Sequence, residues 1–442
     1  MTYEALQTRF KSLIDHNPMS TFQVLIVAIC FILNMNDGID VLVVSFSGSE
    51  IVKEWGLSKT ELGYIFSAGL MGMTVGAFFL APLGDTIGRR KVFILSLVLI
   101  TSGMLLVFIS AAYWQLLLLR FLTGMGIGGI LPTMAATASE FSNNKRRDFN
   151  VGLVQAGGPV GAIFTGFFCA YAIPAYGWRF AFLFAGGISL LMLVLVWVYM
   201  TDSLDFLSKQ QPENAQQKIN ILLSKMGHEG ISALPEKPLH YANAPVKALF
   251  SPEYRNSTFK LWVAIFFGFL TLYTLMSWVP NIAKEAGLPF EMATYVGIAL
   301  NAGAAIGTAG LGVVAARLGL RKTVLSFMLC AFVVILIYGN VPLTTTLIFV
   351  TIFLIGIFVQ GGFNGIYPTI SRVYPTEIRT TGVGFSIGVG RFGAILGPTL
   401  FGVLSDAGFS TALLFSLFSL PLLVTGLFVF SLKSKNLDER NE

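Results

Sequence analysis

Four charged side chains fall deep inside long apolar runs: Asp37, Asp40, Arg120 and Arg391. At the centre of a bilayer an ionisable group is costly unless it is paired, neutralised or turned toward water. Asp37 and Asp40 are three positions apart, so on a helix they share one face. Two acids and two bases in hydrocarbon surroundings offer a path for a proton and a docking point for an anion. An ion-pair network that only holds helices together fits the same pattern. The three histidines, His16, His228 and His240, fall outside the apolar runs, so a proton crossing the core must ride on a carboxylate.

The elements that must hold these groups are membrane helices. The chain of 442 residues is 55% hydrophobic and only 12% charged, with a mean hydropathy of +0.74. A soluble domain carries about 25% charged residues. The long apolar segments lack strand alternation, so the fold class expected is all-α and polytopic, not a membrane barrel. The pI near 9.1 is no argument for nucleic acid, given where the basic residues sit. Cys30, Cys169 and Cys330 are odd in number and scattered through apolar runs; they read as small packing residues, with no disulfide framework or metal site. The first run begins near Thr21, is too long for a signal-peptide core and lacks a cleavage site, so it is expected to remain as the first span.

The pattern predicts twelve transmembrane helices in two six-helix halves. The first half holds spans near 21–46, 60–83, 92–112, 114–139, 149–172 and 178–200, and the second near 261–280, 291–316, 323–340, 343–368, 380–403 and 410–432. This divides the chain into a tail (1–20), an N-terminal half (21–200), a central loop (201–260), a C-terminal half (261–432) and a second tail (433–442). With the N-terminus inside, 23 of the 29 Lys and Arg lie on the cytoplasmic side and four on the other. That bias predicts an inner-membrane protein, multi-pass, with both termini cytoplasmic. The halves repeat: Ala81–Lys91 reads APLGDTIGRRK and Gly312–Lys322, 231 residues later, reads GVVAARLGLRK. Gly158–Ile163 (GPVGAI) and Gly390–Ile395 (GRFGAI) match at an offset of 232. Two related halves place a site at mid-membrane between them.

In the loop Gly84–Lys91, Gly84 and Gly88 allow a tight turn, Asp85 can meet a helix N-terminus or a basic partner, and Arg89, Arg90 and Lys91 anchor at headgroups. The loop resembles the signature of the major facilitator superfamily. In the second copy Ala316 and Leu320 replace the acid and the first base, so gating is expected to rest on Asp85, Gly88, Arg89 and Arg90. Arg120 opens RFLTGMGIGG, whose glycines let a helix approach closely; an arginine there resembles the superfamily motif associated with proton coupling. Glu140, followed by Lys145–Arg147, reads as a gate strut. Exporters of the superfamily often carry GPxxGG in the fifth span; Gly158–Gly161 does not match it, which favours uptake.

DGID (Asp37–Asp40) and GVGRFGAILGP (Gly388–Pro398) resemble the aromatic acid:H⁺ symporter family. So do LFSPEYRNSTFKLW (Leu249–Trp262), YTLMSWVP (Tyr273–Pro280) and YPTEIRTTGVG (Tyr374–Gly384). The likeness covers nearly the whole chain. It departs after DGID, where VLVVSFSGSE stands in place of a small-residue run leading to proline. The resemblance implies that Asp37 and Asp40 serve proton coupling and that Arg391 faces the substrate carboxylate, with Arg120 assisting.

An aromatic carboxylate also needs a flat apolar slot. Tyr273, Trp278, Asn301, Gln360, Asn364 and Tyr367 are the candidates to complete it, Gln360 and Asn364 being one turn apart. The function expected is proton-coupled uptake of a small organic anion such as benzoate or a hydroxybenzoate. The alternatives are a carrier for another metabolite (a dicarboxylate such as muconate, a sugar acid or a polyol) or a proton antiport exporter. The partners expected are substrate, protons and the lipid bilayer, without nucleic acid, cofactor or metal, around a monomer. With no intramembrane histidine and no H-E-x-x-H, no enzyme is expected.

Overall fold

The computed structural model describes residues 3–236 and 246–432. His240 and the tail expected at 433–442 lie outside the described residues. The first half is built from α1 (Tyr3–His16), α2 (Thr21–Trp55), α3 (Lys59–Phe79), α4 (Gly84–Ile87), α5 (Arg89–Val107), α6 (Tyr113–Glu140), α7 (Arg147–Tyr176) and α8 (Trp178–Tyr199). Two short helices follow, α9 (Leu204–Gln210) and α10 (Ala215–Lys225). The second half holds α11 (Arg255–Glu285), α12 (Phe290–Leu318), α13 (Leu320–Asn340), α14 (Thr345–Asn364), α15 (Ile366–Val373), α16 (Thr376–Asp406) and α17 (Thr411–Phe430). Among the described residues twelve helical stretches are long and apolar enough to cross a bilayer, six in each half.

Local chemistry sets where these helices begin. Ser20 and Ser58 cap α2 and α3, each accepting from the amide three residues on, while Gln23 and Glu61 reach back to the cap amide. Thr344 and Ser410 cap α14 and α17 in the simpler one-sided way. The repeat is written in the turns: Gly56, Gly88 and Gly177 have positive φ, as do Gly287, Gly319 and Gly408, each partner 231 positions further on. A side chain would be strained in that conformation, so glycine marks the same corners twice.

Three expectations change. The N-terminal tail and the central loop are not plain connectors. Leu6 and Phe10 on one face of α1 are buried, Gln7 bonds to Ser208 of α9 at 2.7 Å, and Arg147 pairs with Asp15, so both segments fold onto the first half. The span expected at 343–368 is two helices, because Pro368 has no N–H to give the Asn364 carbonyl. Cys30 and Cys169 are buried as packing residues, but Cys330 is exposed on α13.

The halves are tied together most tightly at the end where α2 meets α3. Asp406 of α16 accepts from the backbone amides of Lys59 (3.1 Å) and Thr60 (2.7 Å). Lys59 pairs with Glu285 at 2.7 Å, and Lys284 pairs with Glu50. Deeper in, the Ser45 hydroxyl bonds to the Met276 and Ser277 carbonyls at 2.9 Å, and Asn281 donates to the Ser45 carbonyl at 2.9 Å. Trp278 fills the seam beneath them, edge-on to Phe66 at 5.5 Å.

Candidate functional site at the centre of the bundle

The two acids of α2 are held against α7. A Cβ on Gly38 would lie 1.9 Å from the Gly158 carbonyl oxygen, and one on Gly161 would lie 2.2 Å from that of Met35. Glycine on both surfaces lets the backbones touch, which fixes the angle at which Asp37 and Asp40 leave α2. Gly158 and Gly161 of the fifth span therefore have a packing role.

The acids have different surroundings. Asp40 is 1% exposed and meets Arg120 of α6, 3% exposed, through two hydrogen bonds, one of them Nη2 to Oδ2 at 2.8 Å. Arg120 in turn lies over Gly69 of α3, where a Cβ would come within 3.0 Å of Nη2. The planar fork matched to a carboxylate is the strongest ion-pair geometry available to side chains. Asp37 is half-buried and has no ion pair, and its Oδ1 is buried without a hydrogen-bond partner among the described residues.

Arg391, midway along α16, is 8% exposed and pairs with no carboxylate among the described residues. Its Nη1 donates to the Tyr273 hydroxyl at 3.3 Å and lies 3.8 Å from Met73 Sδ of the other half. The guanidinium sits 5.5 Å from the Phe269 ring centre and 6.0 Å from that of Tyr273. These faces offer cation–π attraction to a charge that lacks an anion. Phe269 stacks on Tyr273 at 5.6 Å and meets Phe363 edge-on at 4.7 Å; Phe363 in turn meets Tyr367 at 5.6 Å. An aromatic wall thus runs from Arg391 to α14. Arg391 on α16 and Asp37 on α2 belong to opposite halves of the bundle.

At the far end of that wall Gln360 donates to Asn364 at 3.3 Å, and Asn364 donates to Thr308 of α12 at 2.7 Å. Asn301, buried on α12, donates to the Gly297 carbonyl at 2.9 Å. Gln360 and Asn301 line a crevice between α11, α12 and α14, with Leu272, Leu275, Met276 and Val359. Trp278 stands apart from this group, its indole N–H committed to the Pro398 carbonyl at 3.0 Å in the seam.

The loop residues lie at the opposite end from the tied one. Arg89 forms two hydrogen bonds with Glu140, one at 3.0 Å, and Gly88 turns at φ 100°. Asp85 is exposed and only 3.9 Å from Arg89. The acid that meets the N-terminus of α5 is Asp202, which accepts from the Arg90 amide at 3.1 Å. Burial raises the Asp202 carboxyl above its ordinary range, while the Arg90 amide and nearby basic charges act against that rise. Arg90 itself donates to the Trp197 carbonyl at 2.6 Å.

Sequence reading missed Phe269, Met73 and Asp202. Phe269 is one helical turn before Tyr273, a spacing that could have found it. Met73 and Asp202 carry no signal that separates them from ordinary neighbours.

The sequence profile of the Major Facilitator Superfamily matches residues 26–336 and 261–442. The chain is 30% identical over 428 residues to a gallate transporter of Pseudomonas putida, covering 95% of this chain and 94% of that one. It is 32% identical over 400 residues to a 4-hydroxybenzoate transporter of Pseudomonas putida, covering 88% and 87%. A benzoate transport protein of Acinetobacter baylyi is 26% identical over 88% of this chain and 85% of its own. Among solved structures, the inward-open xylose transporter of E. coli superposes with a TM-score of 0.73 at 15% identity, over 95% of this chain and 99% of that one. The twelve helices in two halves and the matched profile together place this chain in the Major Facilitator Superfamily, as a multi-pass membrane transporter and not an enzyme.

Proposed function

We propose that this transporter imports a small aromatic carboxylate together with a proton. The observation that carries the reading is Arg391: a buried guanidinium without a carboxylate partner, laid against aromatic faces midway through the bundle. A charge so placed calls for an anion. The carboxylate of the substrate docks on the fork, and its ring lies along Phe269 and Tyr273. Relatives that transport gallate, 4-hydroxybenzoate and benzoate support this substrate class.

Asp37 is the acid free to exchange a proton, because Asp40 is held by Arg120. Protonating Asp37 removes a negative charge that competes with the substrate for Arg391. One proton with one monoanion is electroneutral, so accumulation draws on the pH gradient, about 1.4 kcal/mol per unit. The Lys and Arg bias supports cytoplasmic termini, and the ties at the α2–α3 end then close the outer side and leave the centre facing inward. Arg89 and Glu140 gate the inner side.

The direct test uses purified protein in liposomes. With the lumen alkaline and the outside acidic, labelled benzoate or 4-hydroxybenzoate should accumulate, and a protonophore should abolish the accumulation. A protein that carries muconate, a polyol or a sugar acid in place of every aromatic monocarboxylate would displace this reading.

A further inference from the structure

A polar chain with a direction runs from Thr308 through Asn364 to Gln360, which lines the crevice between α11, α12 and α14. The Thr308 hydroxyl has one proton, and it goes to the Ala304 carbonyl at 2.8 Å, so its oxygen accepts from the Asn364 amide. Asn364 therefore turns its carbonyl oxygen toward Gln360, and Gln360 meets it with its NH₂ group. This leaves the Gln360 side-chain oxygen without a donor. Across the same crevice, Asn301 spends an N–H on Gly297 and leaves its oxygen without a donor as well. Neither oxygen is sealed from the cavity among the described residues.

We infer that this pair of amide oxygens, on α14 and α12, is a recognition site for a hydroxyl group on the ring of the substrate. A hydroxyl gives its proton to one of them and accepts from a remaining amide hydrogen, whereas an ether cannot donate. The crevice side chains are Leu272, Leu275, Met276, Leu300, Ala304 and Val359, with the two amides and no cation, so a second carboxylate has no partner there. The class selected is a hydroxylated aromatic monocarboxylate, held by Arg391 at one end and by Gln360 and Asn301 at the other. Thr308, which never touches the ligand, sets the direction of the chain and is a positioning residue.

This inference rests on the proposed transport of aromatic acids, and one experiment separates the two. Benzoate uptake into liposomes is competed with the 2-, 3- and 4-hydroxybenzoates and with the matching methoxybenzoates. At least one hydroxy isomer should compete about tenfold better than its methoxy partner, the effect of one well-made hydrogen bond. The readout is this ratio, which a general loss of transport does not move. In Gln360→Leu and Asn301→Leu it should fall toward one. In Thr308→Val it should fall severalfold, since the amides are then free to turn either way; this variant keeps the shape of the site and covers the case in which a pocket variant does not fold. A ratio near one in the wild type, or an unchanged ratio in all folded variants, overturns the hydroxyl site. Absence of benzoate uptake in the wild type overturns the transport reading itself.

Discussion

The carboxylate of Asp406, at the last residue of α16, caps the first turn of α3 in the opposite half by accepting from the Thr60 amide at 2.7 Å. A second acceptor bond, from the Lys59 amide at 3.1 Å, completes the clasp. Opening this end breaks both bonds and leaves two helix-terminal donors of α3 to water. Asp406→Ala should weaken closure by about 1 kcal/mol, the ordinary worth of a helix cap. The variant is checked by placing a cysteine at Ser45 in a background without native cysteines and timing its reaction with an impermeant maleimide. Labelling should be several times faster than in the parent.

Asp37 and Asp40 should separate in their effects. Asp40→Asn leaves Arg120 buried without a counter-charge, a loss of about 3–5 kcal/mol. The melting temperature in detergent should drop, and Asp40→Asn with Arg120→Gln should restore much of it. Asp37→Asn removes no ion pair, so the fold should hold. Its proton-driven accumulation should vanish while exchange of labelled for unlabelled substrate persists. Accumulation at the wild-type level in Asp37→Asn would exclude it as the proton carrier.

Arg391→Lys should weaken substrate binding about tenfold or more, because a point charge replaces a planar fork stacked on Phe269 and Tyr273. Isothermal titration of the detergent-solubilised protein reads this directly. Unchanged affinity would put the carboxylate elsewhere.

Gly38→Ala should cost at least about 1–3 kcal/mol, since the new methyl group meets the Gly158 carbonyl at 1.9 Å with backbone on both sides. Gly152→Ala, also on a helix but with nothing within 4 Å of the added carbon, should be neutral or stabilising. Thermal melts of the pair separate close packing from helix propensity.

Arg89→Ala removes both bonds to Glu140 at the end opposite the clasp. Maximal uptake rate should fall several-fold while apparent affinity moves by less than about twofold. A collapse of affinity without a change in exchange rate would place Arg89 in the binding site and not in a gate.

How far the sequence could be read depended on the scale of the signal. Twelve spans were legible because each needs about 20 apolar residues, a pattern that survives any detail of packing. The repeat was legible from two motif pairs, and the glycine turns at 56, 88 and 177 repeat it in the backbone. The acids and arginines stood out because charge is rare in such segments. What could not be read was the pairing: whether Asp37 or Asp40 meets Arg120 depends on helix rotation, which a three-residue spacing leaves undetermined. Trp278 and Gln360 looked alike as candidates, and only the contacts of Trp278 with the Phe66 ring of α3 and the Pro398 carbonyl of α16 assign the indole to the seam. The folding of α1 onto α9 was hidden for a related reason: α9, with 7 residues, falls below the length at which apolar periodicity stands out in a polar stretch.

The half-buried acid Asp37 belongs to one lobe, and the Arg391 guanidinium, which pairs with no carboxylate among the described residues, belongs to the other with its aromatic wall. On the proposed reading, passenger and driving ion then travel on separate bodies that meet across a seam. Their mutual influence can be tuned by how far those bodies stand apart, without altering either berth. Substitutions that widen the seam at the level of Met73 should loosen the stoichiometry of coupled movement before they impair the grip on the passenger.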